Sequence, residues 1–190
     1  MDSNLVHFAP RAHVDFLRTL FAKMADTTLE LRNATFTDAE VIAVLEAASF
    51  PPDEAASLDA IRARITEAHD FFWTFHRTSA PEALVGFVNG TCITTNKIHH
   101  ESMSQHESSG RTLVIHSVTI SSAERRKGLG SLMLRKYIEK MTANTHVDKV
   151  LLLSKSDMLT FYVNCGFQLI RLSDVAHGQV RNFASQTRRS

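Results

Sequence analysis

Apolar and polar positions along this chain follow two periods. Between residues 9 and 27, Val14, Leu17, Phe21 and Met24 recur near the helical repeat with Arg11, Arg18 and Lys23 between them, which predicts an N-terminal helical extension over residues 1–27. The segment 28–34 alternates as a strand does. Thr37-Asp38-Ala39-Glu40 has capping-box spacing, and Val41, Ile42, Leu45 and Ala48 give the helix that follows an apolar face. Phe50-Pro51-Pro52 should stop that helix, because a residue before proline disfavours the helical region. A second helix is predicted from Ser57, with Leu58, Ile61, Ile65 and Ala68 on one side. Residues 71–76 and 83–93 read as a hairpin around Thr78-Ser79-Ala80-Pro81. Residues 94–110 are polar and aperiodic, the length at which a loop becomes a candidate lid.

The second half is more regular. Residues 111–120 form a strongly apolar strand, followed by a short turn with glycines at 128 and 130. A helix then carries Gly130, Met133, Leu134, Tyr137, Ile138 and Met141 on one side and Arg135, Glu139 and Lys140 on the other. Residues 149–153 are a near-continuous apolar run, so strand, helix and strand together predict a parallel crossover. Ser154-Lys155-Ser156-Asp157 can start a short helix bearing Leu159, Tyr162 and Val163, which Gly166 would end. Residues 167–172 and 179–184 read as final strands, and 185–190 as a disordered basic tail. The expected architecture is α/β (α+β): one domain over 28–184, with a mixed, largely antiparallel central sheet flanked by helices.

Composition narrows the options. A chain of 190 residues, 44% hydrophobic and 22% charged, is sufficient for one well-buried core. A formal net charge of +1 exerts no global pull on nucleic acid or on a membrane surface, so anion binding must be local. Two widely separated cysteines are no disulfide framework and fit a reducing compartment. No apolar run reaches membrane-spanning length and the first residues lack a signal-peptide pattern, so the expected location is cytoplasmic.

The turn Arg125–Ser131 is the leading candidate for chemistry. Unpaired N–H groups at a helix start carry the positive end of the macrodipole, and nearby glycines let backbone approach an anion. Arg125, Arg126 and Lys127 would add charge. A solvated basic turn fits the same residues. The P-loop and dinucleotide fingerprints do not. His116 in the preceding strand reads equally as a proton acceptor and as a hydrogen-bonded core residue. Tyr162 reads as an acid or as helix packing. Phe50, Pro51, Glu54 and Leu153 are candidates to touch a substrate, with core packing or solvated helix-start acids as the competing accounts. His99, His100 and His106 lack the partners of a metal site, so no metal is expected.

Arg-x-x-Gly-x-Gly between an apolar strand and an amphipathic helix resembles the acetyl-coenzyme A pyrophosphate loop of the GNAT acetyltransferase superfamily. Leu159-Thr160-Phe161-Tyr162-Val163-Asn164-Cys165-Gly166-Phe167 is similar to that superfamily's "FY...GF" block. More narrowly, V-I-H-S-V-T-I, R-R-K-G-L-G-S and F-P-P-D-E-A-A-S-L resemble the arylalkylamine (serotonin) N-acetyltransferases, the last segment their non-vertebrate members. Vertebrate members carry two strand histidines; this chain keeps the second as His116 and has Val114 in place of the first.

The resemblance implies an acetyl-CoA cosubstrate held by Val118, Thr119, Ile120, Arg125, Arg126, Lys127, Gly128, Leu129, Gly130, Ser131 and Tyr162. Val118 and Ile120 would pair with the pantetheine arm, and the N–H of Val118 would face the developing oxyanion. His116, with an ordinary pKa of about 6.5, would take the amine proton, and Tyr162 would supply one to the departing thiolate. The implied acceptor is a small primary amine such as serotonin or tryptamine. Polyamines, a protein amine and a non-catalytic CoA-binding role stand as alternatives. The expected assembly is a monomer or homodimer, with no nucleic acid or membrane partner.

Overall fold

A computed structural model describes residues 3–8, 29–98, 105–144 and 146–172. The strands are β1 (Ser3–Phe8), β2 (Leu29–Asn33), β3 (Phe72–Arg77), β4 (Ala80–Ile93), β5 (Thr112–Ile120), β6 (Lys149–Lys155) and β7 (Phe167–Leu172). The helices are α1 (Ala39–Ala47), α2 (Leu58–Glu67), α3 (Leu129–Asn144) and α4 (Leu159–Asn164). One seven-stranded sheet runs in the order β2-β3-β4-β5-β6-β1-β7. Its β5–β6 pair is parallel and the others are antiparallel, as the α3 crossover requires.

Two expectations about the first half change. Ser3–Phe8 is a strand that pairs with β6 on one side and β7 on the other, so the N-terminal stretch contributes to the sheet instead of being wholly a helical extension. The helix predicted over 9–27, the strand predicted over 179–184 and the basic tail lie outside the described residues. The capping box begins two residues earlier than its spacing suggested. The carboxylate of Asp38 accepts from the backbone N–H and the hydroxyl of Thr35 at 2.8 and 2.7 Å, starting a single 3-10 turn before α1. Arg32 donates to both Asp38 oxygens at 2.9 Å, which explains why Asp38 is committed there.

Other elements follow their sequence logic closely. Ser57 caps α2 by accepting from Ala60 N at 3.2 Å. Gly166, at φ 100°, supplies the left-handed residue between α4 and β7. Strand alternation divides the core in two. Leu113, Ile115, Val88, Val150 and Leu152 pack with Met133, Leu134, Tyr137, Ile138 and Met141 of α3. Phe72 and Phe87 point to the other face and pack with Ile42, Ile61 and Ile65 of α1 and α2. Each such large side chain, fully buried, contributes about 1.5–3 kcal/mol. The Tyr137 hydroxyl, wholly enclosed, donates to the carbonyl of Phe71 at 2.9 Å and so avoids an unsatisfied buried group.

Candidate active site

β5 and β6 pair from Thr112–Lys149 to Ile115–Leu152, and there the pairing ends. β5 runs on to Ile120 and β6 to Lys155, so the sheet opens into a split over their last residues. Ser121 N donates to Val85 O of β4 at 2.8 Å. Alternate strand residues send their backbone groups to the same side. Thr119 therefore faces β4, while the N–H groups of Val118 and Ile120 face the split. The side chain of Thr119 is buried.

A bulge shapes the wall of the split. Asn89 of β4 stands opposite Ser117, and Gly90 opposite Ile115, so His116 is the extra residue. A bulge re-aims side chains by interrupting alternation. Here it places His116 and Ser117 together on the α1/α2 face. Thr91 Oγ1 and His116 Nε2 lie 2.8 Å apart. Ser117 Oγ donates to Glu46 Oε1 at 3.0 Å, and the N–H of Ala56, in the α1–α2 loop, donates to the same oxygen at 3.2 Å.

Glu46 is the residue that sequence reading missed. It is 2% exposed, and its second oxygen has no hydrogen-bond partner. Burial pushes its carboxyl pKa up, against the pull of its hydrogen bonds and of the Arg64 charge. Burial likewise lowers the Arg64 pKa, against the Glu46 charge. Glu46 clamps the α1–α2 loop to the bulged strand, fixing two walls of the cleft at once. A signal was present: Ala39, Ile42 and Glu46 fall on one helical face, so a carboxylate interrupts an apolar stripe. The expected face was partly wrong, since Val41 is 49% exposed and Ala48 is exposed as well.

The turn before α3 has an unusual backbone. Arg126 adopts φ 63° and Gly128 φ 80°, with a residue between them. Left-handed residues placed this way turn successive N–H groups inward. A Cβ on Gly128 would meet nothing within 4 Å, so glycine is there for its conformation and not for lack of space. Gly130 serves a different purpose from the one expected. Its Cβ position faces Ile120 and Phe161 at 3.5 Å, towards the core. Leu129 also packs on the core, and Ser131 reaches the thiol of Cys165.

The cations differ too. Arg125 donates to Ile120 O and Ser49 Oγ, both at 3.0 Å, which ties β5 to the end of α1. Lys127 pairs with Glu124 at 3.1 Å, and Glu124 also takes Arg77 at 2.7 Å. Both side chains thus have partners within the protein. Arg126 is exposed, and its side chain remains available.

Tyr162 packs edge-on against Phe161 and Phe167, with centroids 4.9 and 5.8 Å away. It belongs to the α3-side core, whereas His116 lies on the α1/α2 side. Burial pushes the Tyr162 phenol well up, so it keeps its proton at neutral pH. Of the substrate candidates, Leu153 packs beside Val114 and Leu151, and Glu54 is ion-paired with Lys155 at 2.7 Å. Phe50 is half-buried and Pro51 exposed; the carbonyl of Pro51 accepts from Glu54 N and Ala55 N at 2.9 Å. His106 accepts from Cys92 N at 3.1 Å, and no group of three metal-ligating side chains is gathered among the described residues. No helix among them is long and apolar enough to cross a membrane.

The split sheet, the bulged histidine strand and the anion turn define an acyl-CoA-type transferase fold. The family described as "Acetyltransferase (GNAT) family" matches residues 30–167, and the chain belongs to it. It is 28% identical over 87 residues to the serotonin N-acetyltransferase of Mesocricetus auratus, covering 46% of this chain and 42% of that protein. The chain thus matches less than half the length of this curated relative. Among solved structures, the loading GNATL domain of CurA from Lyngbya majuscula shares the fold at TM-score 0.60 and 19% identity, over 70% of this chain and 68% of that one. The GphF GNAT-like decarboxylase, solved with isobutyryl-CoA, does so at TM-score 0.59 and 21% identity, over 71% of each chain.

Proposed function

We propose that this protein is an acetyl-CoA-dependent N-acetyltransferase acting on a small primary amine, and that the amine is an arylalkylamine such as serotonin or tryptamine. The observation that carries the reading is the juxtaposition of the anion turn, the β5–β6 split and the bulged His116. The likeness to serotonin N-acetyltransferase supports the arylalkylamine.

The protein's residues fit the cosubstrate. Backbone N–H groups from Arg126 to Ser131 hold the pyrophosphate, with the exposed Arg126 guanidinium adding charge. The N–H groups of Val118 and Ile120 pair with the pantetheine arm as an added strand would. Bound there, acetyl-CoA supplies the activated thioester. His116, on the α1/α2 side, accepts the proton that a cationic amine must lose, and Thr91 orients its ring. Tyr162, on the α3 side, holds a proton at its phenol oxygen and offers a hydrogen bond to the departing sulfur. The N–H of Val118 is aimed where negative charge develops, the placement that lowers a barrier.

A thiol-release assay across aromatic monoamines, aliphatic polyamines and peptide amines tests this. Release with tryptamine or serotonin is the expected result. Release only with polyamines or peptides overturns the arylalkylamine assignment. Calorimetric CoA binding without release on any amine overturns the enzyme, and absence of CoA binding overturns the site itself.

A further inference from the structure

The α1–α2 loop crosses the open end of the β5–β6 split and is fastened there. At its base, Ala56 N is held by Glu46 at 3.2 Å. The turn that follows α1 closes on Pro51 O and presents Glu54. Glu54 then meets Lys155, the last residue of β6, at 2.7 Å, with side chains only 15% and 32% exposed. Alternation along β6 puts Lys155 on the same face as Leu151 and Leu153, the face that carries His116 and Ser117. The ion pair therefore lies at the acceptor-side mouth, partly sheltered from water. Pairs in that setting are screened less than ordinary surface pairs.

We propose that Lys155 determines acceptor specificity: by neutralising Glu54 it makes the mouth unattractive to a second positive charge, and so selects monoamines over diamines and polyamines. This rests on the function proposed above and names the substrate class more narrowly. A monoamine brings one ammonium, which must reach His116 and lose its proton. The remainder is uncharged and can lie against Leu153 and the loop. A diamine carries a second ammonium, which must either displace Lys155 from Glu54 or sit beside the Lys155 ammonium. Like charges a few ångströms apart in a partly dry site oppose binding, so the mouth discriminates by repulsion.

The test is the ratio of kcat/KM for putrescine to that for tryptamine, measured on the full chain. Lys155→Met leaves Glu54 as an unpaired carboxylate, and the ratio should rise at least fivefold. Glu54→Gln leaves the Lys155 ammonium unpaired, and the ratio should fall below that of the parent. The double variant restores a neutral mouth, and its ratio should return to within about threefold of the parent. A rise under fivefold in Lys155→Met overturns the proposal, as does a double variant that stays as shifted as Lys155→Met. Should Lys155→Met lack a cooperative melt, the direction of the Glu54→Gln shift decides the matter alone. A parent that releases thiol with neither amine overturns the function and this inference together. An active parent with an unmoved ratio overturns only the inference.

Discussion

The two faces of the central sheet are built from opposite materials. Beneath α3 the core is mainly apolar: Met133, Leu134, Tyr137, Ile138 and Met141 meet Leu113, Ile115 and Leu152. Beneath α1 and α2, Glu46, Thr74, His76, Asn89, Thr91, Ser117 and Thr119 are all buried polar groups, and several keep atoms with no partner. Burying such groups costs free energy unless they are bonded. One face thus stabilises the fold, and on the proposed function the other would hold the acceptor-side chemistry, at some expense in stability. Substrate and proton traffic need polar groups held rigidly, and the α3 face supplies the stability that permits it.

The largest effect should come from the site strand. His116→Gln should lower kcat/KM by about 10²–10³-fold while calorimetric CoA affinity stays close to that of the parent. Equal loss of both would dissolve the division between the faces. Leu134→Ala should do the reverse, removing about 2–5 kcal/mol of stability in urea unfolding with turnover per folded molecule preserved. Glu46→Ala should cost about 2–4 kcal/mol, because Ser117 and Ala56 N lose their buried acceptor and a cavity is left between α1 and β5. Glu46→Gln keeps an oxygen for both donors and should cost under about 1 kcal/mol by the same measurement.

Smaller effects sharpen the contrast within the anion turn. Gly128→Ala forces a side chain into φ 80° and should cost about 1 kcal/mol in thermal melts while weakening CoA binding. Gly130→Ala meets only ordinary contacts and gains helix propensity, so stability should hold or rise. The smallest effect is with pH. Burial lowers the pKa of His76 on the polar face, with the Arg32 charge acting in the same direction. A base whose folded pKa is depressed leaves the unfolded chain binding more protons. Its stability contribution is therefore complete above about pH 6.5 and lost as pH falls. His76→Gln should flatten the decline of the urea midpoint between pH 7 and 5.

Much of this was legible in the chain. The α3 stripe, the apolar runs at 111–120 and 149–153, and the glycine turn are local patterns, and each became the element it implied. The turn's detail was less legible. Three adjacent cations look alike in sequence, but among the described residues Arg125 and Lys127 find partners at Ser49, Ile120 and Glu124, and Arg126 has none. α1 was misread in part because it is apolar nearly all round, so periodicity could not say that Ile42 faces inward and Val41 outward. β1 was missed as a strand of the sheet because its partners, β6 and β7, are supplied from the far end of the chain.

By itself, the sequence determined most of the strands and helices between residues 28 and 172, that one parallel crossover joins β5 to β6, and that glycines stand at the start of α3, where helix-end N–H groups are unpaired. Those features rest on periodicity, backbone freedom and helix-end electrostatics, which act within a few residues. Only the tertiary structure decided where β5 and β6 part, that a one-residue bulge turns His116 and Ser117 to the same face, and that Glu46 and Lys155 stand over them. Bulge register and ion pairing depend on what a partner strand or loop places opposite, and no residue carries that information alone.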